Sequence, residues 1–529
     1  MIVAKRHQVV IVGAGPVGAA LAVDLALRGV SCALVESRTG LLNIPKGQNL
    51  TQRTLEHFYF WGIADELRAA RVMPKGYPIS GITAYGSLMS DYWYPPPQRE
   101  IVRKYYFQDV ERLPQYLTEK VLRERMAELP AVTNLFGWTS ESIEQDAASA
   151  RVTVVDAGGV RETLEADFVV GCDGAHSLVR SQAGIGRGGT DFEQIMVLAV
   201  FRSKELHEAL KRFPERGTFN VLHPDAKGYW QFFGRVDVGE EFFFHAPVPA
   251  DTTKDNYDFL GLIQRAAGFE FKAEFDYVGF WDLRVSVADT YQVGRVLIAG
   301  DAAHSHPPYG GFGLNNGLED ATKLGWKLAA KLEGWGGDEL VRSYSDERRP
   351  IFKETGEDFI AARIEADAKW LELHNPERDK AEFEAAWAAR QARSGSSVMS
   401  YEPNYEGSPV IAGPPGGKSS AHGEHTFTAR AGHHLAPQPL SSGKNVFEEL
   451  GLGFTLLAFG ADDAGVAAFE RAAAAAHMPM TVVRDSYAGG REAYERRLIL
   501  VRPDQYVAWT ADAAPADVPA LLAKVTGRP

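Results

Sequence analysis

The sequence predicts an α/β fold in which a Rossmann-like nucleotide-binding domain carries an inserted antiparallel-sheet domain and is followed by a smaller α/β domain. Three observations lead to this prediction. A glycine-rich turn joins an apolar strand to a helix near the N-terminus, β-branched and aromatic residues replace the helical period in the middle of the chain, and strands and helices alternate again near its end. The predicted boundaries are 1–189 and 286–393 for the two parts of the nucleotide-binding domain, 190–285 for the inserted sheet, 394–425 for a linker and 426–529 for the C-terminal domain.

The beginning of the chain is typical of a dinucleotide-binding unit. A short apolar strand is followed by the turn Gly-Ala-Gly-Pro-Val-Gly at residues 13–18, a helix, and a second strand that ends at Glu36. Gly13 permits the tight turn, Gly15 lets the backbone approach a pyrophosphate, and Gly18 lets the helix pack closely. A carboxylate at the end of the second strand accepts hydrogen bonds from ribose hydroxyls. These residues predict a bound dinucleotide.

A second glycine-rich stretch, residues 300–317, has the same strand–turn–helix organisation. The apolar run 296–299 predicts a buried strand, Gly300-Asp301 follows it, and the apolar residues after 317 recur at helical spacing. The first N–H groups of a helix have no partner within the helix, and the helix dipole is positive at that end. This stretch therefore predicts a receptor for an anion or a dipole.

Composition narrows the class of protein. A chain of 529 residues predicts two or three domains, and its excess of acidic over basic residues, a net charge of −13, argues against a nucleic-acid-binding surface. Cys32 and Cys172 lie in apolar runs, as reduced buried thiols do. No apolar run is long enough to span a bilayer, and the segment 9–12 is too short for the core of a signal peptide. We expect a soluble cytoplasmic enzyme with no membrane or nucleic-acid partner.

The predicted inserted sheet is unusually aromatic. Its densest aromatic runs are residues 229–233 and 242–245, and their rings are compatible with a plain sheet core and with a wall for a planar ligand. The Gly/Ser/Pro-rich passage that begins at Ser394 predicts a linker. No spacing typical of a metal site occurs, because the adjacent pair His433-His434 alone does not indicate one.

Three of these segments together resemble the signature set of the single-component, class A FAD-dependent aromatic hydroxylases, of the para-hydroxybenzoate hydroxylase and phenol hydroxylase type. They are the glycine turn at 13–18, the Asp-Gly…Ser…Arg segment at 173–180 and the segment 300–315. The C-terminal part resembles the thioredoxin-like domain of the phenol hydroxylase and polyketide hydroxylase branch, best at 502–509. Since no Cys-x-x-Cys follows Phe459, packing or formation of a homodimer is expected of this domain rather than redox chemistry.

The resemblance implies a tightly bound FAD, with NAD(P)H and O₂ as co-substrates. Glu36 would bind the adenosine ribose, Asp301 would hold the ribityl chain, and the backbone at 313–315 would point N–H groups at the flavin pyrimidine edge. The cofactor-binding residues implied in this way are Gly13, Gly15, Pro16, Val17, Gly18, Glu36, Arg53, Gln115, Asp173, Gly300, Asp301, Gly313, Leu314 and Asn315. Lys46 stands where relatives often have arginine, so the charge is kept but the bidentate fork is lost.

The family reaction reduces FAD with NAD(P)H and then delivers oxygen from a flavin hydroperoxide to an electron-rich ring. A phenol has a reference pKa of about 10 and reacts better as phenolate, so a base or a hydrogen-bond relay is expected. The sequence does not identify this base: His223, Tyr229, Gln231 and His245 lie in the predicted sheet, and each is also compatible with a purely structural role. Pro308 and Tyr229 are the residues predicted to face the substrate.

Two other functions use the same features. A Baeyer–Villiger oxidation of a ketone keeps the fold and the cofactor but changes the chemistry. A FAD-binding interaction module would use the C-terminal domain to recruit a partner. Flavin-dependent halogenation is disfavoured because the chain lacks the Trp-x-Trp-x-Ile-Pro motif associated with it.

Overall fold

The computed structural model describes residues 5–75, 77, 79, 81–97, 99–190 and 194–529. A mainly parallel sheet forms the centre of the first domain, in the order Gln292–Val293, Val296–Ile298, Arg161–Gly171, Lys5–Val12, Cys32–Glu36 and Val132–Phe136. The apolar half of the strand Lys5–Val12 is fully buried between parallel neighbours. Because parallel strands end at the same edge of a sheet, the turns that begin at Gly13, Cys172 and Gly300 meet there.

One hydrophobic core joins this sheet to the helices Pro16–Leu27, Gln52–Phe60, Gln115–Ala127 and Phe312–Leu332. An antiparallel arm, Trp138–Gln145 and Ala150–Asp156, pairs with the strand Arg161–Gly171. The other helices are Ala64–Ala69, Leu178–Gln182, Lys204–Ala209, Phe259–Ala267, Asp338–Glu354, Ala362–Leu373, Lys380–Ala392 and Ser396–Ser400, and a π-helical turn spans Thr355–Ala361. Among the described residues, none of these helices combines the length and the apolar content that crossing a membrane requires.

The inserted sheet has seven strands, in the order Glu274–Asp282, Gln194–Arg202, Glu241–Pro249, Gln231–Arg235, Thr218–Leu222, Ile82–Tyr85 and Trp93–Tyr94. Its last two strands precede the boundary predicted at residue 190, and Thr218–Leu222 pairs in parallel with Ile82–Tyr85. One face packs on the helix Phe259–Ala267. The predicted architecture is confirmed, but the sheet is less purely antiparallel and less contiguous in sequence than predicted.

Three short strand pairings connect the larger units. They are Asn49–Leu50 with Glu111–Arg112, Val285–Ala288 with both Arg187–Thr190 and His304–Ser305, and Tyr401–Tyr405 with Ser419–His422. The last pair lies within the predicted linker, where Tyr405, Val410 and Ile411 are buried. The passage predicted as a linker thus contains a strand pair, and its few apolar residues anchor it to the protein core.

The C-terminal domain has a four-stranded sheet in the order Met480–Asp485, Phe454–Phe459, Leu498–Val501 and Val507–Ala511, with helices Asp463–Ala475 and Val518–Val525. The first two strands are parallel and the others antiparallel, as in a thioredoxin-like sheet. Buried charges join this domain to the rest. The guanidinium of Arg502 contacts both carboxylate oxygens of Glu347 at 2.7 and 2.9 Å, and Lys323 Nζ lies 2.8 Å from Asp504 Oδ2.

Candidate functional site

A single cavity of about 2290 Å³ runs from the carboxyl edge of the parallel sheet to the aromatic face of the inserted sheet. The first glycine turn (residues 13–18) and the second glycine turn (residues 310–314) both border it. Its volume exceeds the roughly 300–1,000 Å³ of an ordinary ligand pocket. The cavity therefore has room for a dinucleotide and a second ligand.

The first glycine turn is shaped by close backbone contacts. Gly13 has a φ of +100°, and a Cβ there would lie 2.4 Å from the carbonyl oxygen of Cys172. A Cβ on Gly18 would lie 2.0 Å from the carbonyl oxygen of Gly13. A Cβ on Gly15, by contrast, would meet nothing within 4 Å. Gly15 precedes the helix Pro16–Leu27, which has no side-chain cap, so bare backbone amides face the cavity at this point.

Glu36 stands at the end of the adjacent strand and contacts this turn. Its Oε2 accepts a hydrogen bond from the Ala14 amide at 2.9 Å, and its Oε1 accepts from the amide and Nε of Arg38, both at 3.0 Å. Burial opposes ionisation of Glu36, but these hydrogen bonds outweigh it and lower its pKa. The side chain is thus a fixed carboxylate beside the first glycine turn.

The second glycine turn ends in a long helix whose N-terminus faces the cavity. Gly310 and Gly311 have φ values of 72° and 68°, and the helix Phe312–Leu332 has no side-chain cap. Asn315 fixes the turn, since its Nδ2 donates to the carbonyl oxygens of Gly311 at 2.6 Å and Asn49 at 2.9 Å. The backbone at Gly313 and Leu314 lines the cavity with the positive end of the helix dipole.

Asp320, two turns along the same helix, holds the loop that contains Asp301. Its Oδ2 accepts hydrogen bonds from the Gly300 amide at 3.0 Å and from His304 Nε2 at 2.6 Å, while its Oδ1 accepts from Arg348 Nε at 2.7 Å. Burial opposes the ionisation of Asp320, but His304 and Arg348 outweigh it and lower the pKa. The loop position is therefore set from inside the protein.

A neighbouring loop is tied to the same place. Asp173 accepts hydrogen bonds from Ser177 Oγ at 2.5 Å and from the Val179 amide at 3.1 Å. Arg180 Nη1 donates to the carbonyl oxygen of Ala302 at 2.8 Å. Asp173 and Asp301 both line the cavity, on two loops that Arg180 joins.

Aromatic side chains of the inserted sheet form the opposite wall. The rings that line the cavity there are Trp230, Phe232, Phe243, His245, Phe280 and Trp281. His245 is 1% exposed, stacks on Phe232 with 4.5 Å between ring centroids, and finds no hydrogen-bond partner for Nδ1 in the part of the chain that the structure describes. Burial lowers its pKa to about 3, so the imidazole is neutral at ordinary pH.

A second group of side chains closes the wall on the side of the helix Ala362–Leu373. Trp230 Nε1 donates to Asp367 Oδ2 at 2.7 Å, and the Trp230 amide donates to the hydroxyl of Tyr309 at 3.1 Å. Asp367 Oδ1 also accepts from Arg390 Nη2 at 2.7 Å, and the guanidinium of Arg363 lies 4.2 Å from the Trp230 ring. These contacts hold Trp230 and Tyr309 next to Pro308 at the cavity surface.

The structure brings most of the predicted cofactor residues to this cavity. Those that line it are Gly13, Gly15, Pro16, Val17, Glu36, Gln115, Asp173, Asp301, Gly313 and Leu314. Gly18, Gly300 and Asn315 lie immediately behind the lining and shape it through packing and hydrogen bonds. Lys46 also borders the cavity.

Arg53 is a correction to the predicted set, because its side chain is held elsewhere. Its Nε donates to Glu319 at 3.1 Å, its Nη2 donates to the carbonyl oxygen of Asp504 at 2.7 Å, and its Nη1 donates to Gln505 at 2.9 Å. The cavity lining does not include it. Arg53 joins the C-terminal domain to the helix of the second glycine turn instead of contacting the cavity.

Three of the four candidate bases lie outside the cavity lining. His223 Nδ1 accepts a hydrogen bond from the Asp225 amide and so caps a local turn. Tyr229 is 9% exposed with its ring 6.4 Å from that of Tyr309, and burial raises its pKa to about 12. Gln231 also lies outside the lining. Of the four, His245 alone lines the cavity, and of the two predicted substrate residues Pro308 does so and Tyr229 does not.

Several residues of the site were not predicted from the sequence. Asp320 and Asp367 lie on helices, Tyr309 on a loop and Arg112 on a short strand, and the sequence assigned none of them a role. Asp320 lies among apolar residues of a predicted helix, three residues after Gly317. A charged residue in that position could have indicated a buried role. Tyr309 lies inside the second glycine stretch. Nothing local in the sequence indicates Asp367 or Arg112.

Comparison with known proteins agrees with this arrangement. A family model described as "FAD binding domain" matches residues 6–357, and one described as "Aromatic-ring hydroxylase, C-terminal" matches residues 428–529. The FAD-dependent monooxygenase apdD of Emericella nidulans is 30% identical over 564 aligned residues, covering 96% of this chain and 87% of that protein. The tetracenomycin A2 monooxygenase-dioxygenase of Streptomyces glaucescens is 27% identical over 584, covering 99% and 98%.

Solved structures are similar over the whole chain. The flavin-dependent monooxygenase PieE, in complex with FAD and substrate, superimposes with a TM-score of 0.86 at 25% identity, with 99% of each chain covered. The rebeccamycin biosynthetic enzyme RebC with reduced flavin has a TM-score of 0.83 at 29% identity, covering 99% of this chain and 100% of that one.

Proposed function

This chain belongs to the FAD-dependent aromatic-ring hydroxylases, and from that premise we propose that it uses NAD(P)H and O₂ to hydroxylate a phenolic substrate of several fused rings. The observation that carries the proposal is the single cavity, which joins both glycine turns to an aromatic wall. A volume of about 2290 Å³ accommodates FAD and a polycyclic ligand together.

The residues at the first glycine turn suit the adenosine diphosphate half of FAD. The space above Gly15 and the bare amides of the helix Pro16–Leu27 favour a pyrophosphate. The ionised Glu36 accepts hydrogen bonds from ribose hydroxyls. Asp301, exposed in the cavity on a loop held by Asp320, is placed for the ribityl chain between the two turns.

The residues at the second glycine turn suit the flavin ring. When bound, FAD supplies the redox chemistry that accepts electrons from a nicotinamide nucleotide and activates O₂. The N-terminus of the helix Phe312–Leu332 stabilises negative charge on the pyrimidine edge without a mobile counterion. Asn315 fixes the turn, so these amides need no rearrangement when charge develops.

The aromatic wall orients the substrate and excludes water. Phe232, Trp281 and Trp230 offer flat surfaces to a planar ligand, and exclusion of water protects a reactive oxygen donor. His245 is neutral and its ring lines the cavity, so it is placed to exchange a hydrogen bond with a substrate hydroxyl. Pro308 and Tyr309 line the cavity between this aromatic wall and the second glycine turn.

The test is a panel of phenols with one to four fused rings, offered to the FAD-loaded protein with NADH or NADPH. The proposal predicts that at least one polycyclic phenol accelerates NAD(P)H oxidation, lowers peroxide release and gains one oxygen atom on its ring. An ester formed from a ketone in the panel would indicate Baeyer–Villiger chemistry instead. A flavin that neither nucleotide reduces, with any phenol present, would indicate a FAD-binding interaction module.

A further inference from the structure

Arg112 is a buried arginine in the cavity wall that has no acidic partner among the described residues. It is 2% exposed. Its Nη2 donates to Gln48 Oε1 at 2.6 Å and to the carbonyl oxygen of Arg235 at 2.9 Å, and its Nη1 donates to Asn49 Oδ1 at 3.3 Å. All three acceptors are neutral. Burial and, second, the charge of Arg235 lower its pKa to about 9, so it remains a cation at pH 7.

Two other buried arginines of this chain, Arg348 and Arg502, are paired with carboxylates. Arg348 contacts Asp320 at 2.7 Å, and Arg502 contacts Glu347 at 2.7 Å. Removing a charge from water costs several kcal/mol unless an opposite charge compensates it. The charge that acts on Arg112 is instead that of a second buried cation, Arg235, which is 4% exposed. The protein itself therefore leaves the charge of Arg112 uncompensated.

The surroundings of Arg112 are also rich in unused donors. Arg112 Nε and Gln48 Nε2 are both buried without an acceptor among the described residues. Gln48 is 6% exposed, and both residues border the cavity. A cluster that contains a cation and two unsatisfied donors favours negative charge in the adjoining space.

The position of Arg112 relates it to the second glycine turn. It bonds Asn49, whose Cβ lies 3.7 Å from the place of a Cβ on Gly311. Gly47, next to Gln48, lies 3.4 Å from Leu314 by the same measure. On its other side the guanidinium packs on Gly217 of the inserted sheet, where a Cβ would lie 2.7 Å from Arg112 Cζ. Arg112 thus lies between the second glycine turn and the inserted sheet.

We infer that Arg112, oriented by Gln48 and Asn49, is the fixed cation that balances the negative charge which the flavin ring gains on reduction. This inference rests on the proposed function. Arg112 adds a side-chain charge to the dipole of the helix Phe312–Leu332, which begins at the second glycine turn. In a cavity shielded from water, such a charge acts more strongly than at a surface. Arg112 therefore raises the flavin reduction potential.

Sulfite tests this inference without any aromatic ligand. Sulfite adds to oxidised flavin and leaves a negative charge on the ring, so its affinity reports the local positive field. We expect Arg112→Met to raise the sulfite dissociation constant of the FAD-loaded protein at least tenfold, and Arg112→Lys to change it less than threefold. A tenfold change corresponds to a two-electron midpoint potential lower by about 30 mV. Arg235→Met, which removes the neighbouring buried cation outside the cavity lining, is the matched comparison and should raise the sulfite dissociation constant less than Arg112→Met does.

Every outcome of these measurements either supports or overturns the inference about Arg112. Unchanged sulfite affinity and potential in a FAD-loaded Arg112→Met protein would overturn the inference and leave the proposed function standing. If Arg112→Met loses FAD, Arg112→Gln is measured in its place. If both neutral variants lose FAD and Arg112→Lys keeps it, the inference is supported. The charge of the side chain, rather than its shape, then determines whether FAD binds. A wild-type protein that takes up no FAD would overturn the proposed function as well.

Discussion

Asp320 accepts a hydrogen bond from the backbone amide of Gly300 at 3.0 Å, although the two residues belong to different parts of the site. Gly300 follows the strand Val296–Ile298 of the parallel sheet, whereas Asp320 lies on the helix that begins at the second glycine turn. The same carboxylate contacts His304 and Arg348. One buried anion therefore fixes the loop that contains Asp301 relative to the helix Phe312–Leu332.

Replacing Asp320 by alanine should destabilise the protein and weaken FAD binding together. The change leaves Arg348 buried without its carboxylate, which typically costs about 3–5 kcal/mol. Thermal unfolding and a fluorescence titration with FAD measure the two effects. Glu365→Gln is the control, because its pair with Lys369 is more than two-thirds exposed on both sides and should contribute little. An Asp320→Ala protein with wild-type stability would contradict the conclusion that the carboxylate of Asp320 compensates the buried charge of Arg348.

Gly15→Ala and Gly13→Ala should separate binding from folding. Gly15 has a φ of −65° and open space at its Cβ position, so alanine fits the fold and intrudes only where a ligand lies. We expect an unchanged melting temperature for the FAD-free Gly15→Ala protein and at least about a tenfold, or 1.4 kcal/mol, loss of FAD affinity. Gly13→Ala should lower the melting temperature, because its Cβ would strike Cys172. Equal FAD affinity in Gly15→Ala and the wild type would argue against a pyrophosphate at this turn.

Lowering the pH should weaken the contacts between the C-terminal domain and the rest of the protein, because Glu347 then becomes protonated. Burial raises the pKa of this group, but Arg502 and Lys327 outweigh it and lower the pKa to about 2. In the unfolded chain the pKa is about 4.3, so the stabilisation is complete above that value and disappears as pH falls towards 2. We predict that Glu347→Gln lowers the melting temperature at pH 7 and flattens its decline between about pH 4.5 and 2. A wild-type decline that is equally steep in the variant would contradict this assignment.

His245→Phe should impair hydroxylation while leaving FAD in place. The substitution keeps the stack on Phe232 but removes the ring nitrogen proposed to meet the substrate hydroxyl. We expect kcat for the best phenol of the panel to fall about tenfold or more, in line with loss of an acid–base or relay group. FAD affinity measured in parallel should stay within about twofold. Undiminished coupled turnover would exclude His245 from this role.

The fold could be predicted from the sequence where short-range chemistry determines it. The spacing of Gly13, Gly15 and Gly18 follows from contacts within one strand–turn–helix unit, and the observed backbone approaches at Gly13 and Gly18 agree with the predicted reasons. The order of elements in the C-terminal domain was likewise predicted, since each element has its own period.

Contacts between distant parts of the chain could not be predicted in this way. Arg53 was expected along the cofactor, but its partners Asp504 and Gln505 are more than 400 positions away and no local pattern indicates them. The predicted linker is anchored by a few buried side chains such as Tyr405, which its Gly/Ser/Pro-rich composition obscures. The charge of Arg112 is visible in the sequence, whereas the lack of an acidic partner among the described residues is visible only in three dimensions.

A titration of cofactor-stripped protein with FAD tests the central claim most directly. The claim is that the two glycine turns hold one dinucleotide in one cavity. It predicts saturation at one FAD per chain with a perturbed flavin spectrum, and at least about tenfold weaker binding for both Gly15→Ala and Gly313→Val, one variant at each end. Protein that stays colourless, or binding that neither variant weakens, would contradict it.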